Sequence, residues 1–279
     1  MTKLDIGSPP ASGFDVTPTA EEVDFFRENG YLVVEELTTL EELEWLRVLY
    51  EHIFDPANAD DPGSPVDRTN GEGENGPANL SQAFFPEIHY PQLMHTTYRR
   101  NAHKYAAALL GAPAEEVTSW SHMIRKMPGG RSAPWHQDEA YWEPELSYRA
   151  LGCWLPLQDV TREMGAMQFI PGSHKWGIQQ HEHLQNDPKL HVLYVDTDTS
   201  KAVVCPLKAG GATFHHSRTL HFTEPNQTDT VRLAYPTEFE VKPTFLDQPN
   251  HWSWVDANRA AAGRKPPTHY LADGKMVAI

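Results

Sequence analysis

Apolar residues recur along this chain with two different periods, and the change of period divides it. Between Ala20 and Asn29 (AEEVDFFREN), Val23, Phe26 and Arg27 fall at helical spacing, and Glu21 and Glu22 occupy the first turn, where the helix dipole favours acids. Gly30 stops this helix, and Tyr31 to Val34 (YLVV) reads as a short strand. Thr38 and Thr39 cap a second helix running from about Leu40 to Phe54, with an apolar stripe of Leu43, Leu46, Leu49, Tyr50 and Ile53. A third helix covers Met94 to Leu110, ended by Gly111 and Pro113. Beyond Val117 the apolar runs become short and β-like, separated by Gly and Pro: SWSHMIRKM, ALGCWLPL, AMQFI, AVVCP, ATFHH and VRLAYPTEF. Helices first and strands later predict an α+β fold, mainly β, with a jelly-roll core and N-terminal flanking helices.

Three stretches fit neither period. Residues 1–16 read as a flexible arm, leaving 17–279 as one domain: a helical part over 17–116, a β core over 117–240 and a tail over 241–279. The Pro-rich tail, with Trp252 and Trp254, is expected to wrap over the surface. The polar, Gly/Pro-rich stretch from Asp55 to Asn79 is too long for a simple connection, so it reads either as a disordered segment or as a cover over a site.

Composition narrows the class. At 279 residues and 39% hydrophobic, the chain can bury a sizeable core. A net charge of −15 argues against nucleic acid and against an anionic membrane surface as partners. A small-molecule substrate remains, anionic ones included, because one local Arg can outweigh a diffuse acidic surface. Cys153 and Cys205 lie in apolar strand-like runs without a CxxC neighbour and read as buried thiols. With no apolar leader at the N-terminus and no run long enough for a membrane span, a cytoplasmic, reduced protein is expected. Nothing in the sequence fixes the oligomeric state.

The candidate chemistry centres on His136-Gln137-Asp138. In a strand, residues i and i+2 share a face, so His136 and Asp138 can reach one metal while Trp135 and Gln137 point away. An HxD pair alone is unspecific, and two ordinary polar residues would be the plainer reading. Support comes from FHHSRTLHFTEPNQTDTVRLAYPTEF, Phe214 to Phe239, which offers a third ligand, His221, and a basic residue, Arg232. Two histidines and one carboxylate leave open positions on a ferrous ion, which a 2-oxo acid and O2 can fill. Arg232 alternates with Val231 and Leu233, and its guanidinium can hold a carboxylate through two hydrogen bonds. Among fifteen histidines there are decoys. Only one of His215 and His216 can face inward, and that one reads as supporting the site rather than ligating. His181 and His183, lacking a carboxylate and Arg nearby, read as surface residues; His174 reads as a turn residue.

Taken in order, four features resemble the phytanoyl-CoA dioxygenase family: His136-Gln137-Asp138, the loop MGAMQFIPGSHKWG from Met164 to Gly177, His221 followed by Thr223 and Asn226, and Arg232 eleven positions past His221. The opening AEEVDFFRENGYLVVEEL is similar too, so the resemblance spans roughly residues 18 to 240. It implies a double-stranded β-helix (a cupin-like jelly roll), Fe(II) on His136, Asp138 and His221, and 2-oxoglutarate and O2 as co-substrates. It implies that Arg232 and the Thr223 hydroxyl bind the far carboxylate of 2-oxoglutarate and that Trp154 and Met123 line its pocket. Where members often open the strand before the distal histidine with Gly-Asp, this chain has Gly210-Gly211-Ala212, a departure in turn chemistry. Trp142, beyond the metal pair, is a candidate substrate contact, although an aromatic in the core wall is as good a reading.

The function so implied is hydroxylation, or a related oxidation, of an unactivated C–H bond in a small metabolite, with release of succinate and CO2. Related halogenating enzymes have a small residue in place of the carboxylate and chloride in the vacant position, so Asp138 favours hydroxylation. Two alternatives compete: a zinc hydrolase using the same three ligands, which leaves Arg232 and Thr223 without purpose, and a non-catalytic binding module on the same fold.

Overall fold

A computed structural model describes residues 6–58, 66–67, 80–190, 192–263, 265, 269–272 and 275–278. In chain order the elements are α1 (Ala20–Asn29), β1 (Tyr31–Val34), α2 (Leu40–Ile53), β2 (Val66–Asp67), β3 (Leu80–Phe84), α3 (Pro86–His89), α4 (Thr97–Leu110), β4 (Val117–Lys126), β5 (Ala133–His136), β6 (Leu146–Pro156), β7 (Met167–Phe169), β8 (Glu182–His183), β9 (Leu193–Tyr194), β10 (Val203–Cys205), β11 (Ala212–His216), β12 (His221–Thr223), β13 (Arg232–Phe245), α5 (Ser253–Ala262), β14 (His269–Ala272) and β15 (Lys275–Ala278). Of the expected cover from Asp55 to Asn79, only residues 55–58, Val66 and Asp67 lie within the described residues.

The helices begin where capping chemistry starts them. The Thr19 hydroxyl accepts the Glu22 N–H at 3.2 Å while the Glu22 carboxylate accepts the Thr19 N–H at 2.7 Å, a reciprocal cap. The third long helix starts at Thr97 rather than Met94. Pro91–His95 forms a 3₁₀ turn first, and the Thr96 hydroxyl then caps α4 by accepting the Arg99 N–H at 3.2 Å. Glu42 of α2 is fully buried and accepts the N–H groups of Thr97 and Tyr98 at 2.6 and 2.8 Å, so its carboxylate ties α2 to the positive end of α4.

Two antiparallel sheets face each other. The larger has the order β1-β11-β6-β13-β4-β3-β2, the smaller β10-β7-β12-β5. This is the double-stranded β-helix that the family resemblance implies, on the jelly-roll core that the short β-like runs predict. Period-two alternation sorts the long strands cleanly. Leu151, Cys153 and Leu155 of β6, with Tyr235 and Phe239 of β13, pack against Leu43, Leu46, Leu49, Tyr98 and Tyr105 of the helices. The residues between them, Trp154 on β6 and Arg232, Pro236 and Glu238 on β13, face inward to a cavity shared with the smaller sheet. The Gly210-Gly211 departure has a steric reason: a Cβ on Gly211 would sit 2.7 Å from the Glu35 carbonyl, where the strand passes the start of α2. Both thiols are buried and unpaired, with Cys205 pushed up to about 12 by burial.

The tail contains a helix that the composition of the segment concealed. α5 follows Trp252, which stacks on Trp254, and the Trp254 indole donates to the Ala140 carbonyl at 2.8 Å. Ala140 lies in the 3₁₀ turn that starts at Asp138, so the tail braces the segment carrying the candidate carboxylate.

Candidate active site

His136 ends β5 and pairs with His221 of β12 across the smaller sheet. The strand stops there; Gln137 remains extended, and Asp138 opens a 3₁₀ turn. The i, i+2 relation therefore survives although the strand does not. The Gln137 side chain is buried away from the pair. It donates to the carbonyls of Gly177 and Arg218 at 2.9 and 2.6 Å and accepts the Gln179 N–H at 2.7 Å. One imidazole nitrogen each of His136 and His221 and one Asp138 oxygen all lie within 4.8 Å of one another, a group able to hold a metal ion.

The tautomers follow from the partners. His136 Nδ1 lies 2.6 Å from the Pro134 carbonyl and His221 Nδ1 lies 2.9 Å from the Thr219 carbonyl. A carbonyl only accepts, so both Nδ1 atoms carry the proton and both Nε2 lone pairs face the common point, as metal ligation requires. Burial pushes His136 down to about 3, keeping it neutral. Burial opposes charge on His221 as well, but Asp138 beside it outweighs this and raises it. Burial likewise opposes charge on Asp138, yet His221 and His215 hold its carboxyl well below the usual range. His215 is the inward member of the adjacent pair. Its Nε2 donates to the second Asp138 oxygen at 2.9 Å, leaving the first oxygen toward the histidines. Its ring fits because position 152 is glycine; a Cβ there would lie 2.7 Å from the imidazole. His216 turns away, its ring 5.5 Å from that of His174.

At one end of the cavity Arg232 is buried in the wall, beside a second buried basic residue, Lys126. Arg232 is 2% exposed; it donates to the Gly165 carbonyl at 3.0 Å and its Nε has no partner. Its guanidinium lies 5.3 Å above the Trp154 ring. Lys126, directly opposite Arg232 on β4, is fully buried and donates to the Thr223 hydroxyl and the Glu224 carbonyl at 2.7 and 2.8 Å. Burial and the neighbouring Arg232 hold its ammonium well below the usual range. Sequence reasoning missed Lys126; its register opposite an inward Arg is the signal that could have found it. Neither cation faces a carboxylate partner among the described residues.

The cavity encloses about 350 Å³ and brings His136, Asp138, His221, Arg232, Thr223, Trp154 and Trp142 into one wall. Met123 is not part of it. β4 presents His122 and Ile124 to the cavity, while Met123 is buried among the helix-side core residues. One step along a strand reverses the face, so the carry-over of Met123 fails by a single residue. His181 is likewise not a surface residue. It is 1% exposed, and its Nε2 accepts the Gln137 N–H at 3.1 Å, fixing the backbone between the two candidate ligands.

A family model described as phytanoyl-CoA dioxygenase matches residues 26–234, which is most of the chain. The chain belongs to the phytanoyl-CoA dioxygenase family. Phytanoyl-CoA dioxygenase domain-containing protein 1 from Mus musculus is 30% identical over 143 residues, 49% of each chain. A probable alpha-ketoglutarate-dependent hypophosphite dioxygenase from Stutzerimonas stutzeri is 30% identical over 115 residues, 39% of this chain and 40% of that one. The match thus spans about half the length of the first of these curated relatives, and less of the second. The crystal structure of EvdO2 from Micromonospora carbonacea var. aurantiaca complexed with 2-oxoglutarate is similar with a TM-score of 0.75 at 32% identity. It covers 87% of this chain and all of that one. Members of the phytanoyl-CoA dioxygenase family are oxidoreductases that use iron and 2-oxoglutarate, with O2 as co-substrate. No helix among the described residues is long and apolar enough to cross a membrane.

Proposed function

We propose that this protein hydroxylates an unactivated C–H bond of a small molecule, with Fe(II) held by His136, Asp138 and His221 and 2-oxoglutarate held by Arg232. The observation that carries this reading is Arg232, a buried guanidinium in the cavity wall whose Nε has no partner and which makes no ion pair among the described residues, beside a two-histidine, one-carboxylate group. Burying charge unpaired is costly, and a dicarboxylate reaching from the metal to this end of the cavity supplies the missing partner. Arg232 would bind its far carboxylate through a charge-assisted fork, Thr223 and Lys126 would flank it, and Trp154 would cover one face. When bound, iron with 2-oxoglutarate would activate O2, the oxidant: one oxygen atom would go to the substrate C–H bond and the other into succinate as 2-oxoglutarate loses CO2.

The chain's own residues position and protect. His215 and the backbone carbonyls of Pro134 and Thr219 orient the ligand atoms, and Gln137 and His181 fix the backbone between them. Asp138 fills the coordination position that a halide would need, which favours hydroxylation. A zinc hydrolase leaves both buried cations unexplained, and a binding module leaves the aligned Nε2 lone pairs unexplained. The test is succinate release from 2-oxoglutarate by protein supplied with Fe(II) and O2. Release that is absent from the wild type, or undiminished in Asp138→Ala, rejects the reading.

A further inference from the structure

The cavity's other end is built oppositely. Glu238 follows Arg232 on the inward face of β13, six residues further on, opposite Trp120 of β4 and Gly152 of β6. It is 7% exposed, and its Oε2 has no hydrogen-bond partner. Arg232, at the far end, is the sole Lys or Arg in the cavity wall among the described residues, so no protein cation balances this carboxyl. Nearby, His122 also faces the cavity with Nδ1 unpartnered. Burial lowers His122 to about 4, so its imidazole is neutral. Its ring is flanked by Phe84 at 5.5 Å and Trp120 at 5.8 Å, and the three rings form the aromatic part of the cavity wall. Buried polar atoms are nearly always paired, and unpaired ones on residues that line a cavity mark where a ligand can supply a partner.

Resting on the function proposed above, we infer that Glu238 is the substrate-recognition residue and that the substrate is a ring-bearing, non-anionic molecule that donates a hydrogen bond to it, through a hydroxyl or an ammonium group. The aromatic wall takes the ring face, and Glu238 takes the donor. Burial raises the Glu238 carboxyl well above its usual range, and Asp138 and Glu240 add to this, which disfavours a further negative charge beside it. A carboxylate or phosphate at this end would face Glu238 and Asp138 with no cation, which the arrangement disfavours.

The experiment uses three sets of monocyclic fragments, matched in size, bearing hydroxyls, a primary ammonium or a carboxylate. Binding is read by ligand-observed NMR on wild type, Glu238→Gln and Glu238→Leu. Loading with Fe(II) and 2-oxoglutarate is checked separately by the anaerobic charge-transfer absorption. Donor-bearing fragments should dominate the wild-type hits and weaken about tenfold or more in Glu238→Leu. Hydroxyl fragments should survive Glu238→Gln, which can still accept, whereas ammonium fragments should not, so the two arms identify the donor. A charge-transfer band kept in Glu238→Leu shows that the variant is folded. Carboxylate fragments binding as well as the others, donor fragments indifferent to Glu238→Leu, or no donor-bearing hit at all would each overturn the inference. A missing charge-transfer band in the wild type would instead sink the iron and 2-oxoglutarate reading, and the NMR comparison would still decide the role of Glu238.

Discussion

The two ends of the cavity lie on the same two strands and differ in the sign of what they bury. At one end β13 and β4 present Arg232 and Lys126. Further along the same inward faces they present Glu238 and Trp120. The first end, in the function proposed above, would hold the small dianion that the whole family uses. The second has no fixed counterpart and carries an acid and aromatic rings. One scaffold thus separates a shared chemistry from an individual one by distance along a strand, with the metal group between them.

The largest effect should come from the group that both ends share. His136→Ala, Asp138→Ala and His221→Ala should each abolish iron-dependent turnover while the fold survives, because each removes one of the three converging ligand atoms. Iron titration with circular dichroism on the same samples checks this. If His221→Ala keeps normal iron binding, the third ligand has been misassigned.

Next comes the cationic end alone. Arg232→Ala should weaken 2-oxoglutarate binding roughly 10- to 150-fold, the worth of a charge-assisted pair of about 1.5–3 kcal/mol, with little change in iron affinity. An unchanged 2-oxoglutarate requirement in steady-state kinetics would remove the carboxylate role. The comparison between the ends would then lose its basis.

What the sequence made legible follows the same division. His136, Asp138, His221 and Arg232 were readable because their types and spacing are dictated by coordination and carboxylate chemistry. Lys126 and His181 were not, since each acts through a neighbour brought close only by folding: Thr223 across the cavity, and the Gln137 N–H between the ligands. Helices α1 and α2 were legible from caps and stripes, whereas α4 starts three residues late because the turn at Pro91 and the Thr96 hydroxyl override its apolar pattern. α5 was hidden because its anchor, Trp254 on the Ala140 carbonyl, is tertiary. Glu238 belongs to no motif in the sequence; its place on the inward face of β13, in phase with Arg232, gives it meaning.

Lys126 sharpens the cationic end through pH. Its ammonium sits well below its usual range in the free protein, because of burial and Arg232. A bound dianion favours the charged form, so binding takes up a proton, and affinity falls as pH rises from the free pKa toward the bound one. Calorimetry of 2-oxoglutarate binding in two buffers of different ionisation heat should show this uptake, and Lys126→Met should abolish it and weaken binding about tenfold. Identical heats in both buffers for the wild type would mean that Lys126 does not change charge on binding.

The smallest effect tests the register on which both ends depend. β4 sends Ile124 into the cavity beside the Arg232 end and Met123 into the core beneath the helices. Met123→Leu conserves volume in a packed interior, so it should cost less than about 1.5 kcal/mol of stability. It should leave 2-oxoglutarate affinity unchanged. Ile124→Ala removes apolar surface from the cavity wall, about three methylene-sized groups, and should loosen co-substrate binding by a few-fold at most, since the charged contacts remain. Measured side by side, the two variants should separate stability from affinity. A loss of affinity in Met123→Leu with none in Ile124→Ala would place the strand one residue out of register. That slip would turn Ile124 out of the cavity and Lys126 away from Thr223, and with them the account of the cationic end.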